Sequence, residues 1–214
     1  IKQMGFDTVW VMGIFPVGEK NRSGTGGGSV FSVRDHAALN PELGTEDDFD
    51  NFVENAHKAG MRVIIDFVAN HTSQDSKLLN EDPSYFLHIP AGEKPENPPE
   101  GYFAFKHKAD WLWLRQGGYE CSTGKLCFWN DTAQLDYSNP KLRRRLIDIE
   151  KSWVERFNVD GLRIDMAYQN LNSVFSRNWN RAMPQDEFFT SLINEIRELK
   201  PSAAFIAEAY DNQE

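Results

Sequence analysis

The feature that most constrains the fold is a repeated alternation of short apolar segments with longer segments of helical spacing. Four apolar segments rich in β-branched and aromatic residues are predicted to be strands: residues 6–12, 61–68, 162–167 and 203–207. Amphipathic helices are predicted between them: residues 45–60, 141–157 and 186–199. This order is typical of a (β/α)8 barrel or an open doubly wound sheet. Four strands supply about half of a barrel, so strand count alone leaves both architectures open.

Local signals mark the ends of these helices. Thr45 and Asp48 have the spacing of a capping box at the start of the first helix, and Gly60 follows its end. Pro140 suits the first turn of the second helix. A polar stretch after the third strand is predicted to be a loop because it contains Asn170, Asn172, Asn178 and Asn180.

Residues 71–139 interrupt the alternation and are rich in Pro, Gly, Asn and aromatic residues. Because this segment is too long for a connecting loop, it is predicted to be an inserted subdomain. The chain then divides into a first part of the main α/β domain (1–70), the insertion (71–139) and a continuation of that domain (140–214). The aromatic residues of the insertion are interpreted as a small local core in preference to sugar-stacking platforms, and both alternatives stay open.

Two cysteines lie in the insertion, Cys121 and Cys127, close enough in sequence to bridge a small loop. A disulfide would indicate a secreted or periplasmic setting, which is the preferred reading, whereas free thiols would suit the cytoplasm equally well.

Charge and composition exclude several classes of partner and cofactor. Lys and Arg total 23 against 32 Asp and Glu, a net charge of −9, which argues against nucleic-acid and anionic-membrane partners. No apolar run reaches the ~20 residues that a membrane span requires. The glycine-rich segment 24–28 lacks the spacing of a phosphate-binding loop and is predicted to be a flexible loop. No organic cofactor is expected.

Three of the predicted strands end in a carboxylate: Asp66, Asp165 and Glu208. The carboxyl ends of parallel strands form the functional edge of α/β folds. Arg163 stands two residues before Asp165 and therefore projects to the same side, where it should lower the pKa of that carboxyl. Partial burial should instead raise the pKa of Glu208. Two carboxyl groups in opposed environments indicate glycoside cleavage, although a structural ion pair between Arg163 and Asp165 remains the alternative.

The sequence resembles the α-amylase superfamily of glycoside hydrolases, family 13. The resemblance is carried by an ordered set of segments that covers nearly the whole chain: residues 40–45 (NPELGT), 66–71 (DFVANH), 134–136 (QLD), 161–165 (GLRID) and 207–208 (AE). It implies a partial (β/α)8 TIM barrel with an inserted B-type subdomain after the second strand present in the chain.

The resemblance also implies roles for individual residues. Asp165 would be the nucleophile, Glu208 the acid/base, and Arg163 the residue that orients and polarises Asp165. His71, Phe31 and Asp66 would form the substrate-binding surroundings: His71 would contact the sugar, Phe31 would stack on it in place of the usual Tyr, and Asp66 would orient the neighbouring loops.

Calcium is an open expectation of the same resemblance. Asn70 and Asp136 match positions that tie the inserted domain to the barrel in calcium-binding members, and their oxygen atoms suit calcium. Two candidates do not complete a site that requires six to eight ligands. The sequence also departs from the family pattern, since Gln169 occupies a position where many members have a His.

The resemblance implies a retaining enzyme of α-amylase type that acts on α-1,4-linked glucans or malto-oligosaccharides. An α-glucosidase or transglycosylase of the same family, or a non-catalytic sugar-binding or partner-binding member, is the alternative. Because the fourth segment of the family pattern and its strands are not reached by Glu214, the chain is expected to be a piece of a longer protein. Alone it is expected to be inactive, with the remainder of the barrel as its partner in the full-length chain.

Overall fold

The computed structural model describes residues 1–23, 27–92, 96–122 and 124–210. Residues 24–26 of the glycine-rich segment, predicted to be a flexible loop, lie outside the described residues. The strands are β1 Thr8–Val11, β2 Arg62–Val68, β3 His71–Ser73, β4 His88–Pro90, β5 Tyr102–His107, β6 Asp110–Arg115, β7 Gly117–Ser122, β8 Lys125–Trp129, β9 Thr132–Gln134, β10 Gly161–Asp165 and β11 Ala204–Ala207. The α-helices are α1 Glu46–Lys58, α2 Lys77–Glu81, α3 Pro140–Phe157, α4 Asn172–Trp179 and α5 Phe188–Leu199.

The four strands predicted from the apolar segments form one parallel sheet in the order β1-β2-β10-β11. Its strands are linked through α1, the insertion with α3, and α4 with α5, which is the predicted serial βα order. Within the described residues the sheet does not close on itself, and β1 and β11 are its edges. Among the helices described, none is both long and apolar enough to cross a membrane.

One face of the sheet is covered by helices. Val63, Ile65 and Leu162 are fully buried in the same hydrophobic cluster as Trp153 of α3. Trp153 packs edge-on against Phe49 of α1, with ring centroids 5.8 Å apart, and its Nε1–H donates to a backbone carbonyl. Burying side chains of this size contributes roughly 1.5–3 kcal/mol each. This packing fixes the sheet against α1 and α3.

The opposite face carries the other set of alternating side chains. The strand register places Trp10, Ile64, Asp66, Arg163 and Ile206 on this side. Trp10 and Ile206 are almost half exposed, whereas Asp66 and Arg163 are buried. In a closed barrel this face is the interior, so the charged residues lie where a barrel has its core.

The insertion is made of small antiparallel sheets: β3 with β9, β4-β6-β5, and β7 with β8. Phe103, Trp113 and Leu114 are buried between these strands and their neighbours, which confirms the local-core interpretation for these residues. A disulfide joins Cys121 of β7 to Cys127 of β8, so the two cysteines are not free thiols.

The prediction of a loop around residues 170–180 is wrong, because Asn172–Trp179 forms α4. Phe175 is fully buried and anchors the helix to the core. The asparagines that suggested a loop stand mainly at its ends. Asn172 donates from its side chain to backbone carbonyls of residues 184 and 186, and Asn180 ends the helix with a left-handed backbone (φ 49°). Asn172 thus ties the start of the helix to the segment that follows it, and Asn180 ends the helix, so these polar residues do not break it.

A buried carboxyl group lies on α3 without a partner. Glu150 is 0% exposed, and among the described residues neither of its carboxyl oxygens has a hydrogen-bond partner. Burial raises the pKa of Glu150 well above its usual value. Burial therefore favours the neutral form of Glu150 in the folded protein.

This carboxyl group should make stability depend on pH. Its pKa is higher in the folded state than in the unfolded state, so its contribution is complete below the unfolded pKa and is lost as pH rises through the folded pKa. Each unit of pKa difference corresponds to about 1.4 kcal/mol. We expect Glu150→Gln to flatten the fall of the thermal unfolding midpoint as the pH rises above the usual pKa of a glutamic acid. Glu155→Gln, an exposed site on the same helix, is the control; equal pH slopes for the wild type and Glu150→Gln would contradict the expectation.

Candidate active site

The carboxyl ends of three adjacent strands bring charged side chains to one place. Arg163 and Asp165 alternate on β10 and share one face, and the register sets Asp66 of β2 beside Arg163. Glu208 directly follows β11, and its backbone N–H donates to the carbonyl of Ile164 of β10 at 2.9 Å. The strand pairing therefore gathers all four charged residues at one edge of the sheet.

One guanidinium binds three carboxylates at this edge. Arg163 Nη1 lies 3.1 Å from Asp66 Oδ1 and 3.0 Å from Asp165 Oδ1, while Nη2 lies 2.9 Å from Glu208 Oε2. Asp66 also accepts a hydrogen bond from the backbone N–H of Gly13 at 3.2 Å. With an exposure of 1%, Asp66 lies behind the guanidinium. Asp66 therefore positions Arg163, while the expected role of Asp66 in orienting the neighbouring loops stays a prediction.

The protonation preferences of the two candidate catalytic carboxyls differ from those expected from the sequence. Burial and the adjacent Glu208 raise the pKa of Asp165 to about 7, and Arg163 offsets these effects only in part. Partial burial raises the pKa of Glu208, but hydrogen bonds from Tyr210 Oη and the Met166 N–H bring it below its usual value.

The expectation of a low pKa for Asp165 and a high one for Glu208 is therefore wrong. Asp165 is more deeply buried, at 5% exposed, whereas the side chain of Glu208 is 21% exposed and receives more hydrogen bonds. Both carboxyls bind the same guanidinium, and the charge of Glu208 is one cause of the raised pKa of Asp165. The protonation of one group therefore affects the pKa of the other.

A cavity of about 220 Å³ opens beside this pair. Phe31, His71, Asp165 and Glu208, four residues singled out from the sequence, line it together. The other lining residues are Ser23, Ser29, Ser32, Trp129, Asp131, Thr132 and Met166. The cavity thus joins the candidate catalytic carboxyls to aromatic and hydroxyl-bearing walls, which suits a ligand with both apolar faces and hydroxyl groups.

His71 is a neutral group in this cavity. Burial and the nearby His36 lower the pKa of His71 to about 4, and a hydrogen bond with the Phe31 backbone opposes this only in part. Asn70 Nδ2 lies 3.4 Å from His71 Nδ1. A neutral imidazole carries one donor and one acceptor, which is what a sugar hydroxyl requires.

Sequence reasoning did not single out Met166, Tyr210 or Trp129. Met166 has a left-handed backbone (φ 46°), and its N–H donates to Glu208 Oε2 at 2.8 Å. Tyr210 Oη donates to Glu208 Oε1. Nothing in the residue types at positions 166 and 210 signals these roles, whereas Trp129 stood among the aromatic residues of the insertion, for which sugar stacking remained the open alternative.

Asn70 and Asp136 are each engaged by protein groups. Asn70 Oδ1 accepts from Gln134 Nε2 at 3.0 Å, and Asp136 Oδ1 accepts from the Ser138 N–H at 3.0 Å. Asp136 Oδ2 faces Arg181 Nε at 3.8 Å, so a cationic side chain already balances this carboxylate. Across the described ranges, no three His, Cys, Asp or Glu side chains meet to hold a metal. As they stand, these residues do not fit a calcium site, and no chemical step is assigned to calcium. Calcium binding stays a prediction from the family resemblance.

Gln169 turns away from the cavity. Its side chain is buried and accepts a hydrogen bond from Asn178 Nδ2 of α4 at 3.1 Å. The departure from the family pattern at this position therefore belongs to the packing of α4, outside the cavity lining.

Comparison with known proteins matches residues 1–214 to the catalytic domain of α-amylase. Alpha-amylase 3 of Dictyoglomus thermophilum is 28% identical over 99% of this chain and 38% of its own length. The trehalose-6-phosphate hydrolase of Escherichia coli is 29% identical over 78% of this chain and 29% of its own length. The crystal structure of an α-amylase from Lactobacillus plantarum is similar with a TM-score of 0.69 and 31% identity, covering 97% of this chain and 39% of that one.

The chain thus spans about two fifths of the length of the first of these relatives and of the solved structure. Its four-stranded sheet corresponds to part of the (β/α)8 barrel of such amylases, which decides between the two architectures that the strand pattern left open. The match over all 214 residues and the strand-end carboxylates lead to one conclusion: the chain belongs to the α-amylase family, glycoside hydrolase family 13.

Proposed function

We propose that the protein containing this chain is a retaining glycoside hydrolase that cleaves α-1,4-linked glucans such as malto-oligosaccharides. One observation supports this most: Arg163 holds Asp165 and Glu208 side by side at the edge of a cavity with aromatic walls. Retaining glycosidases require two closely spaced carboxyl groups, about 5 Å apart, so that one attacks while the other transfers a proton.

The reaction follows a double displacement. Asp165 attacks the anomeric carbon while Glu208 gives its proton to the oxygen of the leaving sugar, so that the glycosidic bond breaks as the bond to Asp165 forms. Glu208, now ionised, then takes a proton from a water molecule whose oxygen displaces Asp165 from the anomeric carbon. Arg163 stabilises the charge on Asp165 as it is released, and Glu208 regains its proton.

The reaction needs the proton on Glu208 and Asp165 ionised, the reverse of the preference in the structure. Because both carboxyls bind the same guanidinium and lie side by side, transfer of a single proton from Asp165 to Glu208 interconverts the two forms. The pair must therefore carry one proton in total, which predicts a bell-shaped dependence of kcat/KM on pH.

The alternatives from the same family, an α-glucosidase or a transglycosylase, differ in which sugar leaves and what attacks the intermediate. A non-catalytic role is disfavoured because the nucleophile, the acid/base and the orienting arginine are all present and meet in space. The experiment below separates hydrolysis from transfer through its products.

The test uses the complete gene product with maltoheptaose, and products are followed by chromatography and proton NMR. We expect shorter malto-oligosaccharides whose new reducing ends appear first as the α-anomer, since two inversions give net retention. Products longer than the substrate would favour a transglycosylase, and glucose as the sole early product an α-glucosidase. Initial β-anomer, or no cleavage at all, would contradict the proposal.

A further inference from the structure

The turn between β8 and β9, residues 129–132, reaches from the insertion into the cavity. Trp129, Asp131 and Thr132 line the same cavity as Asp165 and Glu208. The aromatic and carboxylate groups of this turn are not used in the double displacement described above. Their position beside the reacting carboxyls indicates a role separate from the double displacement.

Trp129 belongs to a row of three rings. Its centroid lies 4.9 Å from that of Tyr119, with the planes only 25° apart, and 5.0 Å from that of His71. A tryptophan packed against two rings has little rotamer freedom left to lose when a ligand binds, and part of the Trp129 surface stays open to the cavity. The apolar face of a pyranose ring is a suitable partner for such a rigid aromatic surface.

Asp131 supplies hydrogen-bond acceptors on another part of the cavity wall. It is buried, its Oδ2 accepts from Ser23 Oγ at 2.9 Å, and its backbone carbonyl accepts from Ser32 Oγ at 3.1 Å. A carboxylate has about four acceptor sites, so Asp131 can accept from further hydroxyl groups. Ser29 and Ser32 line the same wall.

The cavity lining contains one carboxylate without a cationic partner among the described residues. Asp131, Asp165 and Glu208 line the cavity, but Arg163 pairs with Asp165 and Glu208 and not with Asp131. His71 is neutral because its pKa is lowered to about 4. A phosphorylated sugar placed here would meet carboxylates at short range in a partly dry cavity, where like charges repel strongly.

Glycine and the disulfide hold the turn in place. A Cβ atom on Gly117 would lie 2.6 Å from Thr132 Oγ1 and 2.7 Å from His71 Cβ, so only glycine allows β7 to pack this closely. The strand register pairs Gly117 with Trp129, and the Cys121–Cys127 bridge closes the same hairpin. Trp129 therefore projects from a rigid element, as a binding site requires.

We propose that Trp129 and Asp131 form a subsite for an uncharged glucosyl unit next to the cleavage point, and that Asp131 makes the site reject phosphorylated sugars. This subsite rests on the proposed function, because it assumes a glucan in the cavity. Trp129 stacks on the sugar ring and Asp131 accepts from its hydroxyl groups. The trehalose-6-phosphate hydrolase that this chain resembles is named for a phosphorylated substrate, so a phosphorylated sugar is the relevant comparison for the test.

The test measures binding of the complete gene product by calorimetry in a Glu208→Gln background, which prevents turnover. We expect Trp129→Ala to weaken maltoheptaose binding by about tenfold or more and Trp129→Phe to weaken it less. Trp111→Ala, a partly buried tryptophan of the insertion that does not line the cavity, is the matched control and should leave the affinity unchanged.

The charge of the subsite is tested with maltose and maltose 6-phosphate. We expect the Glu208→Gln protein to bind maltose more tightly than maltose 6-phosphate. Adding Asp131→Asn should weaken maltose binding and reduce the ratio of the two affinities by about tenfold. Thermal unfolding of each variant is measured alongside; if Trp129→Ala fails to fold, Trp129→Phe and Asp131→Asn decide the question. Unchanged maltoheptaose affinity in the Trp129 variants, or an unchanged preference in Asp131→Asn, overturns the subsite while the proposed function stands. Absence of both glucan binding and wild-type hydrolysis instead overturns the proposed function, and the subsite with it.

Discussion

Replacing Arg163 by Met is expected to lower kcat/KM for maltoheptaose by at least about 10³-fold. The guanidinium contacts Asp66, Asp165 and Glu208 within 3.1 Å and is the counter-charge of this buried cluster. Without it, the negative charge that returns to Asp165 when the intermediate breaks down is no longer stabilised. Folding should also weaken by about 3–5 kcal/mol, because carboxylates are left buried without a partner.

The same substitution should shift the pH profile in a defined direction. Loss of a neighbouring cation raises the pKa of a carboxyl group, so the pKa of Asp165 should move further above the value of about 7 that burial and Glu208 already give it. The acidic limb of the kcat/KM profile should therefore move to higher pH. The free energy of unfolding of Arg163→Met should fall as the pH rises, because a carboxyl group whose pKa is raised in the folded state destabilises the fold when it ionises.

Arg163→Lys is the matched control for charge. An ammonium group keeps the positive charge but lacks the planar fork that reaches three carboxylates at once. We expect a smaller shift of the acidic limb than in Arg163→Met, together with a lower kcat. If the residual activity of Arg163→Met had an unshifted acidic limb and fell only in proportion to the folded fraction, Arg163 would act only on folding.

The strand-end carboxylates were predictable because strand periodicity and parallel pairing determine where they lie. Arg163 and Asp165 are two residues apart on one strand, and any parallel pairing of β2, β10 and β11 sets their ends at one edge. The positions of these residues along their strands therefore predicted that they lie close together in space. The capping box at Thr45 and Asp48 was predictable for a similar reason, because it depends on residues within one helical turn.

The protonation preferences were not predictable in this way. They depend on depth of burial and on hydrogen bonds from the backbone of Met166 and from Tyr210, neither of which the residue pattern encodes. Helix α4 was not predicted because its asparagines lie mainly at its ends. The side chain of Asn172 donates to the carbonyl groups of residues 184 and 186, which come near it only in the folded chain. Trp129 lines the cavity but belongs to the irregular insertion. Sequence periodicity does not predict which way side chains point there, so this position was not predicted.

Asp165→Asn and Glu208→Gln should separate the two catalytic roles when each is tested on two substrates. Maltoheptaose has a poor leaving group that must be protonated, whereas a 2,4-dinitrophenyl α-glucoside has a leaving group that departs without protonation. We expect Asp165→Asn to lower kcat by at least about 10⁴-fold on both substrates, because no amide can replace the attacking carboxylate.

Glu208→Gln should behave differently on the two substrates. On maltoheptaose the loss should reach about 10²–10⁴-fold, the usual contribution of general acid catalysis. On the aryl glucoside, formation of the glycosyl intermediate should stay fast while its hydrolysis slows, because Glu208 also activates the water. A burst of dinitrophenol followed by a slow steady state is therefore the expected signature. If Asp165→Asn instead gave the burst and Glu208→Gln lost both activities, the roles would be exchanged, which is the assignment that the higher pKa of Asp165 taken alone would suggest.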